Sequence, residues 1–493
     1  MKFSIRLNAV FKIILSMCNI LIPLFVGPYI IRMLSRTSYD TYTKASVEIQ
    51  LFLALATSAV YTYGIRSISK IRENKKEVQK LFSELFLIGL FFNFFFAGFY
   101  LFYIRFINNH QGELIYYILM IQFLGSTLSV EWLNEAQENY RFITFKSVIV
   151  KGLYIATVFL LIKGDNLIRY GLIISITFVL ESLISFIFLY RKNRMKWRDL
   201  NLKRHFKSIL LAFLITNISL LYVQTDKIML GLLISDAAVA AYTIPNYIVT
   251  SIYNVVISIF VVAIPRLTNL LHEKKGEEYR KLYNELLQAF LMIFIPILFY
   301  IFISSEKLIV LYAAGKYNDS ILPLKLSTIY IFFNALVYTQ REGVLYLSEK
   351  ERPILFCNLI GGLFNLMSNL ILYFLKILTP VNAIITLVVS YLLVTCLLRF
   401  YIRRKVSSKL KILNRRILSY FLFSLPIILI DKLLSLFKLN SIIFLILSLS
   451  SFLFIYFLLL IIFKDRIFLN NFKTSLNKVK DYLARKRRIS SKK

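Results

Sequence analysis

The stretch "SIIFLILSLSSFLFIYFLLLIIF", residues 441–463, contains no charged side chain over its whole length. An α-helix of about 20 apolar residues crosses the roughly 30 Å hydrocarbon core of a lipid bilayer. The stretch "LFLIGLFFNFFFAGFYLFYI", residues 85–104, has the same character. Runs of this kind recur from one end of the chain to the other, so the sequence predicts a protein that crosses a membrane many times.

The composition supports this interpretation. Of 493 residues, 58% are hydrophobic and 17% are charged, whereas soluble domains carry about 25% charged residues. A net charge of +34 would be typical of a nucleic-acid-binding protein, but here the basic residues lie in short segments between the apolar runs. We therefore expect no nucleic-acid partner, and we interpret the charge as a signal of helix orientation.

The apolar runs predict an all-α integral membrane protein with about fourteen transmembrane helices. They lie at approximately residues 10–31, 42–65, 81–104, 114–132, 142–162, 167–190, 208–232, 240–264, 285–304, 321–346, 354–375, 380–402, 415–437 and 441–463. Lys and Arg favour cytoplasmic connections. With a cytoplasmic N-terminus, the predicted internal segments contain 47 of the 60 Lys and Arg residues and the external segments contain 12. This asymmetry predicts that both termini are cytoplasmic.

The chain looks duplicated. The segment "YIIRMLSRTSYDTYTKASVEI" (29–49) joins the first two spans, and "KIMLGLLISDAAVAAYTIPNYI" (227–248) joins the seventh and eighth. An offset of six helices predicts parallel repeats, which form two pseudo-symmetric lobes in transporters. The predicted organisation is an N-terminal lobe (1–190), a basic cytoplasmic linker (191–207), a C-terminal lobe (208–402), two further helices (403–464) and a basic cytoplasmic tail (465–493).

Three segments carry a resemblance to a known family: "PYIIRMLSRTSYDTYTKAS" (28–46), "EWLNEAQENYRFIT" (131–144) and "TDKIMLGLLISDAAVAAYTIPNYI" (225–248). Nearly the whole chain resembles the Wzx-type polysaccharide repeat-unit flippases of the multidrug, oligosaccharidyl-lipid and polysaccharide exporter superfamily. The resemblance implies a protein of the bacterial inner membrane. It would move an undecaprenyl-diphosphate-linked oligosaccharide, of O-antigen or capsule, to the outer leaflet in exchange for a cation, usually a proton.

The implied partners are the lipid-linked oligosaccharide, the surrounding membrane lipids, and a polysaccharide polymerase with its chain-length machinery. We predict no cofactor and no metal site, because His110, His205 and His272 lie in different connections and the chain lacks a GxxxxGK phosphate loop. We therefore expect a transporter and not an enzyme. Two alternatives stay open: a multidrug-type exporter of the same superfamily and a membrane polysaccharide polymerase.

Cations should line the path of an anionic diphosphate, and Arg and Lys are its usual partners in proteins. Ionisable residues inside a membrane span are functional candidates because their burial is expensive. Arg32 at the end of the first span, Lys44 in the second and Lys227 in the seventh are such candidates. Three more would receive the substrate at cytoplasmic helix ends: Arg66, Arg266 and Arg341. The alternative for each is a charge that sets topology or reaches the membrane interface.

Cation antiport needs a titratable acid within the membrane, and three acids are candidates for ion coupling. Glu48 follows Lys44 by four residues and so lies on the same helical face. Asp226 precedes Lys227 in a segment that carries the resemblance. Glu181 lies near the middle of the sixth span. The alternative for each acid is structural, as the partner of a cation or as a hydrogen-bond acceptor that joins neighbouring helices.

Overall fold

The computed structural model describes residues 11, 15, 22, 25–107, 113–217, 220, 222–406, 410, 415–437 and 439–469. Most of the first predicted span, His110 and residues 470–493 of the predicted tail lie outside these ranges. Within them every regular element is helical, so the prediction of an all-α protein is confirmed.

The helices are joined by short connections and are numbered here in chain order. The first half of the chain contains α1 (25–33), α2 (Arg36–Ile71), α3 (Lys75–Phe106), α4 (Leu114–Met120), α5 (Gln122–Thr127), α6 (Glu131–Ala136), α7 (Tyr140–Leu161) and α8 (Leu167–Asn193). The second half contains α9 (Lys203–Asn217), α10 (Val223–Leu233), α11 (Asp236–His272), α12 (Gly276–Ile303), α13 (Ser305–Ala313), α14 (Ile321–Gln340), α15 (Glu351–Phe374), α16 (Pro380–Lys405), α17 (Arg415–Ser424), α18 (Pro426–Ser435) and α19 (Ser441–Ile462).

In the described residues, 12 helical segments are long and apolar enough to cross a membrane. The second, eighth and tenth predicted spans, which are the least apolar, are among them as Arg36–Ile71, Asp236–His272 and Asn318–Leu345. The seventh predicted span is divided into α9 and α10, and α1 is the described end of the first. The chain is therefore a multi-pass membrane protein.

The predicted duplication pairs the start of α2 with the start of α11, and these two helices begin in a similar way. Ser35 precedes α2, and its hydroxyl accepts a hydrogen bond from the Ser38 amide at 3.2 Å. Ser235 precedes α11, and its hydroxyl accepts from the Ala238 amide, also at 3.2 Å. Each serine satisfies one of the amides that a helix leaves without a partner in its first turn. The helices α2 and α11 therefore begin with the same kind of cap.

Removal of these caps should lower stability. We expect Ser35→Ala and Ser235→Ala each to lower the free energy of unfolding by about 1 kcal/mol. Ser35→Ala should have the larger effect, because the Ser35 hydroxyl also donates to the Ser38 hydroxyl at 3.0 Å. Thermal unfolding of the detergent-solubilised protein measures both. Ser450→Ala, at an exposed position inside α19, is the control, and an equal loss in all three variants would argue against the caps.

The two halves meet along α2, which packs against α9, α10 and α11. Every residue of α2 from Tyr39 to Ile49, except Tyr42, is buried. A helix that is buried on all sides is normally apolar all round, but this segment contains the charged residues Lys44 and Glu48. The polar centre of the molecule therefore lies where α2 contacts the second half.

Candidate functional site

The end of the bundle at which α1 ends and α2 begins, called the Arg36 end below, is closed by side chains from both halves. Arg36 forms an ion pair with Asp319, and its guanidinium carbon lies 5.0 Å from the centre of the Tyr317 ring. The Tyr317 hydroxyl donates a hydrogen bond to Oδ1 of Asp40 at 2.7 Å. Because Tyr317 and Asp319 belong to the connection between α13 and α14, the second half covers the start of α2.

Lys316 of the same connection binds the end of α1. Its ammonium group donates to the backbone carbonyls of Ile31, Arg32 and Leu34 at 2.8, 3.0 and 2.7 Å. A cation is stabilised there because the last carbonyls of a helix carry partial negative charge. The exposed side chain of Arg32 donates to the Leu311 carbonyl at 2.7 Å. The predicted substrate cation Arg32 thus lies in the contact between α1 and α13.

Asp165, in the connection between α7 and α8, ties the Arg36 end of the first half together. Burial acts to raise the pKa of its carboxyl group, but hydrogen bonds from Ser35 and Ser38 and the charge of Lys316 outweigh burial. The pKa of Asp165 therefore lies below its ordinary value. A carboxylate that stays ionised keeps these contacts as the pH falls until its folded-state pKa is reached.

Lys44 joins the two halves just below this closure. Its ammonium lies 3.2 Å from Oδ1 of Asp236, and its side chain is only 3% exposed. The Thr41 hydroxyl also donates to Asp236, at 3.3 Å. A Cβ atom at Gly231 would lie 3.4 Å from Lys44 Cε and 3.1 Å from Val239, so the glycine leaves room for the lysine. In this conformation Lys44 is paired across the interface.

Asp226 is the centre of a buried polar network in the second half. The Tyr242 hydroxyl donates to its Oδ2 and the Asn369 amide to its Oδ1, both at 2.6 Å. The Thr386 hydroxyl donates to Oδ1 of Asn369 at 2.8 Å and accepts from the Asn365 amide at 3.3 Å. The network joins α10, α11, α15 and α16, so a candidate for ion coupling also holds four helices together.

Lys227 points in another direction, as expected for adjacent positions on a helix. Its side chain is buried, with 8% exposed, and its ammonium lies 5.7 Å from the centre of the Tyr247 ring. Among the described residues, no carboxylate lies within ion-pair distance of it. The charge of the adjacent Asp226 acts on Lys227, but that carboxylate already accepts hydrogen bonds from Tyr242 and Asn369. A buried cation that forms no close ion pair is costly, which makes Lys227 the strongest of the predicted candidates for binding an anion.

Glu181 belongs to a charged cluster inside the first half. Its Oε1 accepts a hydrogen bond from Ser147 at 2.8 Å and lies 3.8 Å from the ammonium of Lys146. Lys146 also forms an ion pair with Glu131 at 2.8 Å and donates to the Ser185 hydroxyl at 2.7 Å. One buried lysine therefore lies between two carboxylates contributed by α6 and α8.

The remaining predicted residues are Glu48 and three arginines. Glu48 is buried beside Lys44 and Tyr103. Arg66 and Arg266 are exposed near the far ends of α2 and α11. Arg341 begins a short π-helical turn, where it bonds Glu342 at 3.0 Å and lies 5.6 Å from the ring centre of Tyr338. These three arginines do not meet Lys44 or Lys227 in this conformation.

Two cavities adjoin each other between the halves. The larger, called the apolar cavity, has a volume of about 790 Å³; its walls include Phe25, Phe159, Ile252, Phe452 and Leu453, with Arg32 as its charged residue. The smaller, called the tyrosine cavity, has about 340 Å³; its walls include Tyr39, Tyr42, Tyr154, Tyr170, Tyr247 and Tyr312, together with Lys151, Thr177 and Glu181. Tyr312 contributes to both walls. Its hydroxyl packs so closely on Gly27 that any side chain there would collide with it.

The sequence profile of the family described as "Polysaccharide biosynthesis protein" matches residues 6–271, which is more than half of the chain. The chain belongs to this family. The resemblance stated from the three sequence segments is thereby confirmed. A family relative from Shigella dysenteriae, named "Putative O-antigen transporter", is 24% identical over 268 residues. The match covers 53% of this chain and 66% of that relative, slightly less than two thirds of its length.

Solved structures show the fold of this family member. The lipid II flippase MurJ in an inward-closed conformation matches with a TM-score of 0.69 at 15% identity, over 94% of this chain and 99% of that one. The eukaryotic MATE transporter AtDTX14 gives 0.54 at 14% identity, over 84% and 97%. A MOP superfamily transporter from Pyrococcus furiosus Vc1 gives 0.55 at 12% identity, over 82% and 95%. This member of the polysaccharide biosynthesis family therefore has the MurJ and MATE transporter fold.

Two lysines of the first half were not among the predicted site residues. Lys146 and Lys151, which the charge count assigns to an internal connection, lie within α7, where Lys146 is buried and Lys151 borders the tyrosine cavity. The sequence contains one indication that polar partners lie next to α8. Glu181 and Ser185 are four residues apart, so they share a face of α8, and a face with two polar residues inside a span requires polar partners on a neighbouring helix.

Proposed function

We propose that this protein is a flippase that moves undecaprenyl-diphosphate-linked oligosaccharide repeat units from the cytoplasmic to the outer leaflet of a bacterial cell membrane. The observation that carries the proposal is the pair of adjoining cavities, one apolar and one lined by tyrosines and charged groups. A lipid-linked oligosaccharide likewise combines an apolar lipid with a polar head. Membership of a polysaccharide biosynthesis family and the name of the Shigella relative support this substrate class.

The contacts at the Arg36 end support transport by alternating access. The charge asymmetry of the sequence predicts that this end is external and that both termini are cytoplasmic. Arg36, Lys316 and Tyr317 close it with ion pairs and hydrogen bonds, which water can replace when the halves separate. Rigid-body movement about such an interface is a common form of conformational switching.

The membrane potential would assist this reaction, because the diphosphate is anionic and the cell interior is negative. Moving about two charges across 100 mV provides roughly 4–5 kcal/mol. Entry of a cation, with Asp226, Glu48 or Glu181 as the titrating acid, would add to this. Flipping in proteoliposomes that responds neither to an imposed potential nor to a proton or sodium gradient would contradict both sources of energy.

The variant Lys227→Met tests the proposed function by removing the positive charge of this buried lysine. A hydrogen bond to a charged group contributes about 1.5–3 kcal/mol, so we expect flipping to fall about tenfold to a hundredfold. The assay is performed in a strain that lacks the gene, and it measures access of an externally added glycosidase to the lipid-linked repeat unit. Wild-type protein should make the repeat unit accessible, whereas Lys227→Met at equal abundance should leave it in the inner leaflet.

The control is Lys376→Ala, an exposed lysine between α15 and α16, which should leave flipping unchanged. If the repeat unit reaches the outer leaflet normally without the protein, the flippase proposal is wrong. Export of a cationic dye by the wild-type protein would then favour the multidrug-type alternative. Accumulation of flipped but unpolymerised repeat units would favour the polymerase alternative.

A further inference from the structure

The walls of the tyrosine cavity do not resemble ordinary packing between helices. Six tyrosines, from α2, α7, α8, α11 and α13, surround an open volume of about 340 Å³. Tyr39, Tyr154 and Tyr170 are each more than nine-tenths buried, so these parts of the wall are formed by side chains shielded from the surroundings. The Tyr154 and Tyr170 hydroxyls are 3.4 Å apart, and the rings of Tyr42 and Tyr170 are 4.8 Å apart. An empty cavity in a protein is usually apolar, so the hydroxyl and charged groups that these walls carry beside their apolar side chains indicate an occupant with polar groups.

The charges in the walls limit what that occupant can be. Glu181 and Lys151 both line the cavity, so it carries one group of each sign. A diphosphate would be repelled by Glu181, and an organic cation would be repelled by Lys151. A neutral ligand that both accepts and donates hydrogen bonds can bind the carboxylate and the ammonium group at the same time.

The Glu181 carboxylate is held in place at this wall. Ser147 donates to it, and Lys146 lies 3.8 Å from it while forming its shorter ion pair with Glu131. Ser185, one turn from Glu181, bonds both Lys146 and Glu131. A carboxylate fixed in this way needs no rearrangement to accept hydrogen bonds from a ligand, which favours tight and specific binding.

We propose that the tyrosine cavity binds a pyranose ring of the transported glycan, with tyrosine rings against its C–H face and Glu181 and Lys151 bonded to its hydroxyl groups. A pyranose combines an apolar face with a rim of hydroxyls, and tyrosine offers both an apolar ring and a hydroxyl. The volume lies at the low end of the roughly 300–1,000 Å³ of ligand pockets, which suits one or two sugar rings. This inference rests on the proposed flippase function and assigns the part of the substrate that the cavity recognises.

Binding is tested with the purified full-length protein in nanodiscs by isothermal titration calorimetry. The probes are the repeat-unit glycan released from its lipid by mild acid, the intact lipid-linked repeat unit, and inorganic pyrophosphate. Both glycan probes should bind to the wild-type protein. Tyr170→Leu should weaken binding of the released glycan about tenfold, the upper range for the loss of an aromatic contact. Glu181→Gln should weaken it about tenfold or more, because a hydrogen bond to a charged acceptor is lost.

Tyr190→Leu is the matched control, because Tyr190 lies on α8 outside the cavity and is 44% exposed. Tyr170→Phe keeps the ring and should retain most of the affinity. If Tyr170→Leu does not fold, Glu181→Gln decides, since Lys146 keeps its ion pair with Glu131 in that variant. Equal affinity of the released glycan for wild type, Glu181→Gln and Tyr190→Leu would overturn the proposal, as would its displacement by pyrophosphate.

A parallel flipping assay in proteoliposomes separates this inference from the flippase proposal. If the wild-type protein does not flip the lipid-linked repeat unit, the proposed function fails. If the wild-type protein and Glu181→Gln flip the lipid-linked repeat unit with the same KM, the proposed function is retained and only the proposed sugar site is contradicted. The expected result is an increase in KM in Glu181→Gln and Tyr170→Leu that matches the loss of affinity for the released glycan.

Discussion

Replacing Lys146 by methionine is expected to lower the free energy of unfolding by roughly 3 kcal/mol. Removing one partner of a buried ion pair costs roughly 3–5 kcal/mol, because the other charge is left without compensation. The lower value is expected here because Glu131 and Glu181 keep 20% and 28% of their side-chain exposure. In the variant these two carboxylates would lie close together with no cation between them. Thermal unfolding followed by fluorescence-detected size-exclusion chromatography measures the loss.

The triple variant Glu131→Gln, Lys146→Met and Glu181→Gln separates charge from packing. Replacement of all the charged groups of a buried network is often close to neutral, so this variant should recover most of the lost stability. Lys207→Met, at an exposed lysine of α9, should change stability by less than about 0.5 kcal/mol. If the triple variant is as unstable as Lys146→Met alone, the loss arises from packing of the lysine stem and the electrostatic account is wrong.

Asp226→Ala is expected to abolish transport and to destabilise the second half. The Tyr242 hydroxyl and the Asn369 amide both donate to this carboxylate, and each buried donor left without a partner costs about 1–3 kcal/mol. Asp226→Asn keeps an oxygen that can accept a hydrogen bond but has no charge. We therefore expect Asp226→Asn to fold and to lose the response of flipping to a cation gradient.

The measurement is flipping of the lipid-linked repeat unit in proteoliposomes, with a proton or a sodium gradient imposed in turn. Glu349→Gln, an exposed acid between α14 and α15, is the control and should respond to the gradients as wild type does. A full response of Asp226→Asn to both gradients would exclude Asp226 as the coupling acid. Glu48 and Glu181 would then be the remaining candidates for that role.

The arrangement of spans could be predicted from the sequence because hydropathy and charge act locally. Each apolar run identifies one crossing whatever its neighbours are, and the predicted spans at 42–65, 240–264 and 321–346 correspond to helices despite their polar residues. The division of the seventh span into α9 and α10 escaped prediction. Hydropathy averages over a window and does not register a break in a run that remains apolar on both sides.

The partners of the charged residues could not be predicted, because they depend on which helices become neighbours. Lys44 and Glu48 are four residues apart, yet the ion pair of Lys44 is formed with Asp236, at the start of α11. The buried position of Lys146 within α7 could not be predicted for a similar reason. A lysine near the predicted end of a span looks like a topology signal until the acids of α6 and α8 are known to surround it.

The burial of α2 from Tyr39 to Ile49 has a consequence for how this chain can change during evolution. Inserting one residue into a helix turns everything beyond it by about 100°. On a helix with one exposed face, such a turn can be absorbed by the solvent or lipid. Here it would move Lys44 away from Asp236 and Glu48 away from Tyr103 together, with no outer face to receive them. We infer that insertions and deletions are excluded from this segment, and that it can diverge only through substitutions compensated in the helices packed around it, which include α3, α10 and α11.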